Sequence, residues 1–354
     1  MLIHALTLLV LAVLLAWPVP RLLARAAWPA RSPGVALLLW QAIAVAGGLS
    51  MIGAPLCLGL APYGDSLPEA LYAGTTAGLT ATPVVLPIWS FLGLIVAAAM
   101  AGYLLAHLAT TIVRVSAQRR RHWQLLRLLS QPHPSRDRTR VIDDDRAVAY
   151  CLPHGAGSLT VLSRGLLDEL PENELAAVIA HEAAHLWQRH DIVLVAFRAW
   201  HQALPWFPVA ALAEQRVAVL IEMLADDRAR AAVGDGPTAR AIITVAELGH
   251  LPGDEAAGST GPVGALGSGA VSPDSSGRGR EDRPVGNDGC DDAGDGIEGS
   301  SNADVDLSQS AAVLHERVAR IAAPRPLGLP ARLLAVATAV ALVTVPTLQL
   351  ILPA

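Results

Sequence analysis

Four apolar stretches, each long enough to cross a bilayer, constrain this chain more than any other feature. A crossing helix needs about 20 apolar residues, and such runs lie near residues 2–17, 34–57, 83–113 and 331–352. The first has no basic residue ahead of it and no small-residue cleavage site behind it, while Arg21 and Arg25 follow it. It therefore reads as an anchor and not as a removed signal peptide. Composition agrees with a membrane protein: 16% of the 354 residues are charged, against about 25% in an average soluble chain.

Arginine placement supplies an orientation. Arg21, Arg25 and Arg31 lie between the first two stretches, and residues 58–82 carry only Asp65 and Glu69. Arg114, Arg119, Arg120, Arg121 and Arg127 follow the third stretch, and Arg325 precedes the fourth. Basic residues stay on the cytoplasmic side of the cell membrane, so the N-terminus is expected outside and residues 114–330 inside. One orientation satisfies all four crossings.

The expected organisation is a membrane domain over 1–113 with three transmembrane helices, then a cytoplasmic domain over 114–250. A disordered Gly/Ser/Asp-rich insertion over 251–310, a short helical return segment over 311–330 and a fourth transmembrane helix over 331–354 complete it. Residues 252–310 hold no aromatic side chain and cannot bury enough apolar surface to offset their ordering entropy. In the cytoplasmic part, residues 147–152 and 159–162 alternate like strands around Gly155 and Gly157. A helix is expected from about 171, since Pro171 suits a helix start and Glu172 and Glu174 suit its positive end. Another is expected near 212–233, stopping at Gly234. The net charge of -5 suggests no nucleic-acid partner. All 26 basic residues are Arg, read as compositional bias. Cys57, Cys151 and Cys290 have no finger-like spacing and read as unpaired thiols.

The chemistry sits in His181-Glu182-Ala183-Ala184-His185. Helical positions i and i+4 share a face, so two imidazoles at this spacing can grip one zinc ion. Glu182, one step round the helix, can hold the polarised water and take its proton. Leu175, Val178, Ile179 and Leu186 mark an apolar stripe that contains Glu182. A lone buried carboxylate is costly without a partner, which argues against two ordinary core histidines. Glu222 and Asp226 are also i and i+4 on the next helical pattern. Glu222 would complete a site of two His and one Glu with a fourth position open. Asp226 could accept a hydrogen bond from a ligand imidazole. Read alone, the same pair also fits a solvated acidic face.

Together these residues resemble the integral membrane gluzincins, with the BlaR/MecR antirepressor group the nearest likeness and the HtpX/Ste24 group a neighbour. The likeness rests on Tyr150-Cys151-Leu152-Pro153, Ser163-Arg164-Gly165-Leu166-Leu167, the run from Glu174 through Glu182, Arg189-His190-Asp191 and the ExxxD helix. It covers roughly 100–250 and the flanking spans. It implies an α-rich membrane protein whose cytoplasmic domain is an α+β metalloprotease of gluzincin type, with a small β-sheet. It implies that His181, His185 and Glu222 bind one zinc ion, that Glu182 is the general base, and that Asp226 orients a ligand histidine, His181. The expected partners are a protein or peptide substrate and the lipid bilayer, with a homodimer left open. Since the chain ends at Ala354, no outer sensor domain is expected.

The residue pattern leaves several choices open. Arg317, in His315-Glu316-Arg317-Val318-Ala319-Arg320-Ile321, either stabilises an oxyanion or forms a surface ion pair. Residues 192–211 are apolar but hold Arg198, His201, Pro205 and Pro208. A full crossing there would part Glu222 from the histidines, so the stretch lies at the interface or re-enters. His190 and His201 read as surface or interfacial, and Asp143-Asp144-Asp145 as a solvated turn. The expected activity is peptide hydrolysis; the resemblance favours regulated cleavage of a transcriptional repressor, with membrane-protein quality control as the alternative. A non-catalytic receptor or scaffold is the competing class.

Overall fold

The computed structural model describes residues 1–80, 87–154, 157–248 and 311–353. The expected insertion over 251–310 and the expected Gly155 corner lie outside the described residues. Helices dominate. α1 (Leu2–Ala16) and α2 (Pro18–Arg25) form a broken first span, followed by α3 (Pro33–Leu60), α4 (Leu67–Thr80) and α5 (Ile88–Leu129). Among the described residues, four helical stretches are long and apolar enough to cross a membrane: Leu2–Arg25, Pro33–Leu60, Ile88–Leu126 and Leu329–Ile351. Such helices satisfy their backbone internally, as a lipid-facing chain must. α3 and α5 approach closely: a Cβ on Gly93 would stand 2.7 Å from the Pro55 carbonyl, and one on Gly59 2.8 Å from the Leu94 nitrogen. Glycine permits that crossing because it adds no side chain between the backbones.

The two ends of the bundle are distinct. At one end, the Met1 amino group lies 3.8 Å from Asp65, and Leu8 and Leu350 pack on Gly53. At the other, the Leu327 amide donates to the Arg31 carbonyl and Arg320 to the Ala30 carbonyl. The arginines of the 21–31 connection thus share an end with the start of the last span.

α5 continues past its apolar part for several turns and delivers the chain to a four-stranded sheet. Its strands are β1 (Ser130–Pro132), β2 (Thr139–Ile142), β3 (Ala149–His154) and β4 (Gly157–Ser163), in the order β1-β2-β4-β3. β2 and β4 are parallel, and the outer pairs are antiparallel. The alternating residues expected as strands form the β3–β4 hairpin. β1 and β2 escaped the sequence reading because they are short and polar. Ser163 ends the sheet and caps α6 (Arg164–Glu169), its hydroxyl accepting from the Leu166 amide. α7 (Glu172–Trp187) follows Pro171 and lies against β3. Leu162, Leu166, Leu170, Leu175, Ala177 and Ala241 form the core between sheet and helices.

α8 (His190–Ala203) and α9 (Pro208–Val233) form a hairpin, and α10 (Asp235–Leu248) follows. Gly234, at φ +89°, ends α9, a left-handed conformation that glycine adopts without a Cβ clash. Residues 311–322 form α11, and α12 (Leu329–Ile351) closes the bundle. Residues 192–211 belong to this hairpin. α8 runs antiparallel to α5: Asp191 pairs with Arg119 at 2.9 Å, while the Ala203 carbonyl accepts from Tyr103. Tyr103 lies about 16 Å along α5 before Arg114, at 1.5 Å per residue. The stretch therefore runs alongside the apolar part of α5 as far as Tyr103 and turns back on itself. One buried cluster holds Trp40, Ile43, Phe197, Val217, Leu220 and Met223, so the bundle and the hairpin share a core.

Candidate metal centre

α7 and α9 pack side by side, and each presents one i, i+4 pair to the other. His181 Nε2 and His185 Nε2 stand 3.2 Å apart. Glu222 reaches both, at 3.3 Å from His181 Nε2 and 3.6 Å from His185 Nε2. Bonds of about 2.0–2.1 Å at tetrahedral angles would put donors roughly 3.3 Å apart. Two imidazole nitrogens and a carboxylate are also the donor types that such an ion takes. Spacing and chemistry both fit a zinc-sized cation held by His181, His185 and Glu222.

The residues behind the donors are equally ordered. His181 Nδ1 lies 3.1 Å from Asp226, whose side chain has no exposed surface. Arg317, from α11, donates Nε and Nη2 to the two oxygens of Asp226 at 2.8 Å each and stands 3.3 Å from Glu222. Arg317 therefore forms an ion pair that is largely buried, not the surface contact expected. Asp143-Asp144-Asp145 behaves as a turn, with Asp144 accepting from Arg146.

Electrostatics follow from burial and these partners. Burial alone would lower the His181 pKa, but hydrogen bonds to Asp226 and Glu222 outweigh it and push it up to about 10. The same negative field that holds a proton there attracts a metal cation, which displaces the proton on binding. His185 goes the other way: burial pushes it down to about 4, leaving a neutral imidazole with a free lone pair. Burial works against the charged form of Glu222, but His181 and Arg317 keep it ionised. The Glu182 carboxyl is pushed up to about 8, chiefly by burial.

Of the five residues singled out from the sequence, His181, His185, Glu222 and Asp226 lie in this one constellation, and Glu182 lies within electrostatic reach of His181, Glu222 and Arg317. His190 is a correction. The sequence places it at the surface or the membrane interface, yet it is 2% exposed, with its Nδ1 3.2 Å from Nδ1 of His185. A helix-periodicity argument could not find it, because α7 ends between the two residues. Gln188 caps α7, Arg189 takes a left-handed conformation (φ 51°, ψ 40°), and the chain folds back. His201 bonds Glu214 at 2.7 Å within the hairpin, half-exposed and away from the centre.

Among known families, the model for Peptidase family M48 matches residues 115–233. That stretch carries both motif helices and ends before Arg317. The match supports a metallopeptidase of that family and does not reach the BlaR/MecR or HtpX subgroup. No curated protein and no solved structure matches the chain.

Proposed function

We propose that this protein is an integral membrane zinc endopeptidase that cleaves a protein substrate on the cytoplasmic side of the cell membrane. The observation that carries the reading is the 3.2–3.6 Å triangle of His181, His185 and Glu222 donor atoms. In this reading those three residues hold the ion. When bound, zinc supplies Lewis acidity that polarises a carbonyl and lowers the pKa of water toward about 7. Glu182 takes the proton of the attacking water on its carboxylate and returns it to the leaving amine nitrogen. A carboxyl whose proton affinity lies near neutrality suits both transfers. Asp226 accepts the Nδ1 proton of His181 and so directs Nε2 of that ring to the ion. Arg317 is held by Asp226 and Glu222, which makes it a fixed countercharge in preference to an oxyanion donor. β3 is one of the two edge strands of the sheet and lies against α7, so an extended substrate can add to that edge.

The cytoplasmic placement rests on the arginine asymmetry. Two cellular roles suit the site, regulated cleavage of a repressor and quality control of membrane proteins. The second gains support from depth. Asp191, next to His190, pairs with Arg119, and Arg119 lies only about 8 Å along α5 beyond Arg114. A centre so near the bilayer surface meets membrane-tethered chains first.

The test uses the purified full-length protein in detergent. Wild type is expected to carry zinc and Glu222→Ala to lose it. Glu182→Gln should retain zinc while cleaving an unfolded protein substrate at least ~100-fold more slowly. Wild type that neither holds zinc nor cleaves overturns the proposal. Full function of Glu182→Gln in cells would favour a receptor or scaffold instead.

A further inference from the structure

We propose that His190 is a positioning residue for the metal centre, which orients His185 and fixes its tautomer through a relay ending on Gln188. The proposal rests on the reading of His181, His185 and Glu222 as metal ligands. The geometry supplies the rest. His185 faces the centre with Nε2, and its Nδ1 lies 3.2 Å from His190 Nδ1. The far nitrogen of His190, Nε2, lies 2.8 Å from Gln188 Oε1. The two rings meet edge to face, with centroids 5.0 Å apart and planes at 84°.

Proton positions follow one from another. A nitrogen that binds a metal must present a lone pair, so His185 carries its proton on Nδ1. That proton points at His190 Nδ1, which must accept. A neutral His190 then holds its own proton on Nε2 and donates it to the amide oxygen of Gln188. Each site in the chain has one donor and one acceptor, and no other arrangement leaves His185 Nε2 free. Asp226 does the same for His181 by a single carboxylate. The two ligand histidines therefore have unlike supports, one charged and one neutral.

Local backbone makes the relay possible. Arg189 sits at φ 51°, a region that a residue with a Cβ seldom visits. The turn brings His190 back over the last turn of α7, where a continuing helix would have carried it away. Such outliers persist where the surrounding structure overdetermines them.

The experiment measures zinc affinity of the full-length protein by competition with a fluorescent chelator. Loss of a partner that orients a ligand imidazole typically weakens metal binding ~10–100-fold, and that range is expected for His190→Leu. His190→Asn can place its amide oxygen where Nδ1 stood and is expected to stay within about threefold of wild type. The cobalt-substituted His190→Leu protein should also show an altered visible spectrum, and His190→Asn the wild-type one. Should His190→Leu fail to fold, Gln188→Leu decides, with binding roughly 3–10-fold weaker expected. The proposal is overturned if His190→Leu binds zinc as tightly as wild type. It is overturned equally if His190→Asn is as weak as His190→Leu, or if a needed Gln188→Leu leaves affinity unchanged. Wild type that binds no zinc would instead overturn the metal reading itself.

Discussion

Asp226 has no exposed side-chain surface, yet it carries a charge between His181 and Arg317. Burial alone would neutralise it, but the bidentate Arg317 contact and His181 hold its carboxyl well below the usual carboxylate range. A depressed carboxyl pKa stabilises the folded state above the unfolded value of about 4, and that stability is lost as pH falls below it. Breaking a buried pair from one side leaves an uncompensated charge and typically costs 3–5 kcal/mol. Arg317→Met is therefore expected to destabilise the protein by about 3–5 kcal/mol at pH 7, measured by denaturant unfolding in detergent. The deficit should shrink as Asp226 is protonated at low pH. An unchanged midpoint would show that the pair contributes little. At this scale, the HExxH pattern singled out His181, Glu182 and His185, because that spacing is a property of one helix, while Glu222 and Asp226 fitted a ligand pair or a solvated acidic face and only the resemblance chose between them. The sequence left the partner of Arg317 undecided, since that residue lies 91 positions from Asp226.

Among the elements, the junction of the sheet and α6 is tightly built. A Cβ on Gly165 would stand 1.9 Å from the carbonyl oxygen of Asp145. The Gly165 amide also donates to the Asp144 carbonyl. The turn at 143–146 thus lies directly on the start of α6, and no flexible side chain can yield there. Gly165→Ala is expected to cost at least ~1–3 kcal/mol, as overpacking does, and to lower the thermal midpoint while metal affinity stays at the wild-type level. A midpoint equal to wild type would mean that the turn shifts freely. α7 itself was legible: Pro171, Glu172, Glu174 and the apolar stripe mark its start and its buried face. α6 was not, because six residues show too little periodicity. Nor was His190, whose place depends on one backbone dihedral at Arg189.

At the scale of the whole molecule, the membrane bundle and the metal centre are joined through α5, the α8–α9 hairpin and α11. Arg320 makes part of that joint. It donates to the Ala30 carbonyl, beside the first two spans, and to the Met223 carbonyl, one residue after Glu222. The hairpin reaches the level of Tyr103, and Trp206 at its tip is 75% exposed. An exposed tryptophan at that depth is expected to face lipid. A nitroxide on Trp206→Cys, in liposomes and without the native cysteines, should meet oxygen more readily than a water-soluble nickel chelate. The reverse order would place the hairpin outside the bilayer. The amino-acid sequence by itself determined the number of apolar spans, the charge asymmetry across them and the ligand spacing within each motif helix. Those follow from composition and from the period of a single helix, which are local. Only the tertiary structure decided that 192–211 folds back beside α5, that Arg317 closes on Asp226, and that His190 lies against His185. Each of those depends on how separate helices pack or on one backbone angle between them, and neither is written in a residue pattern.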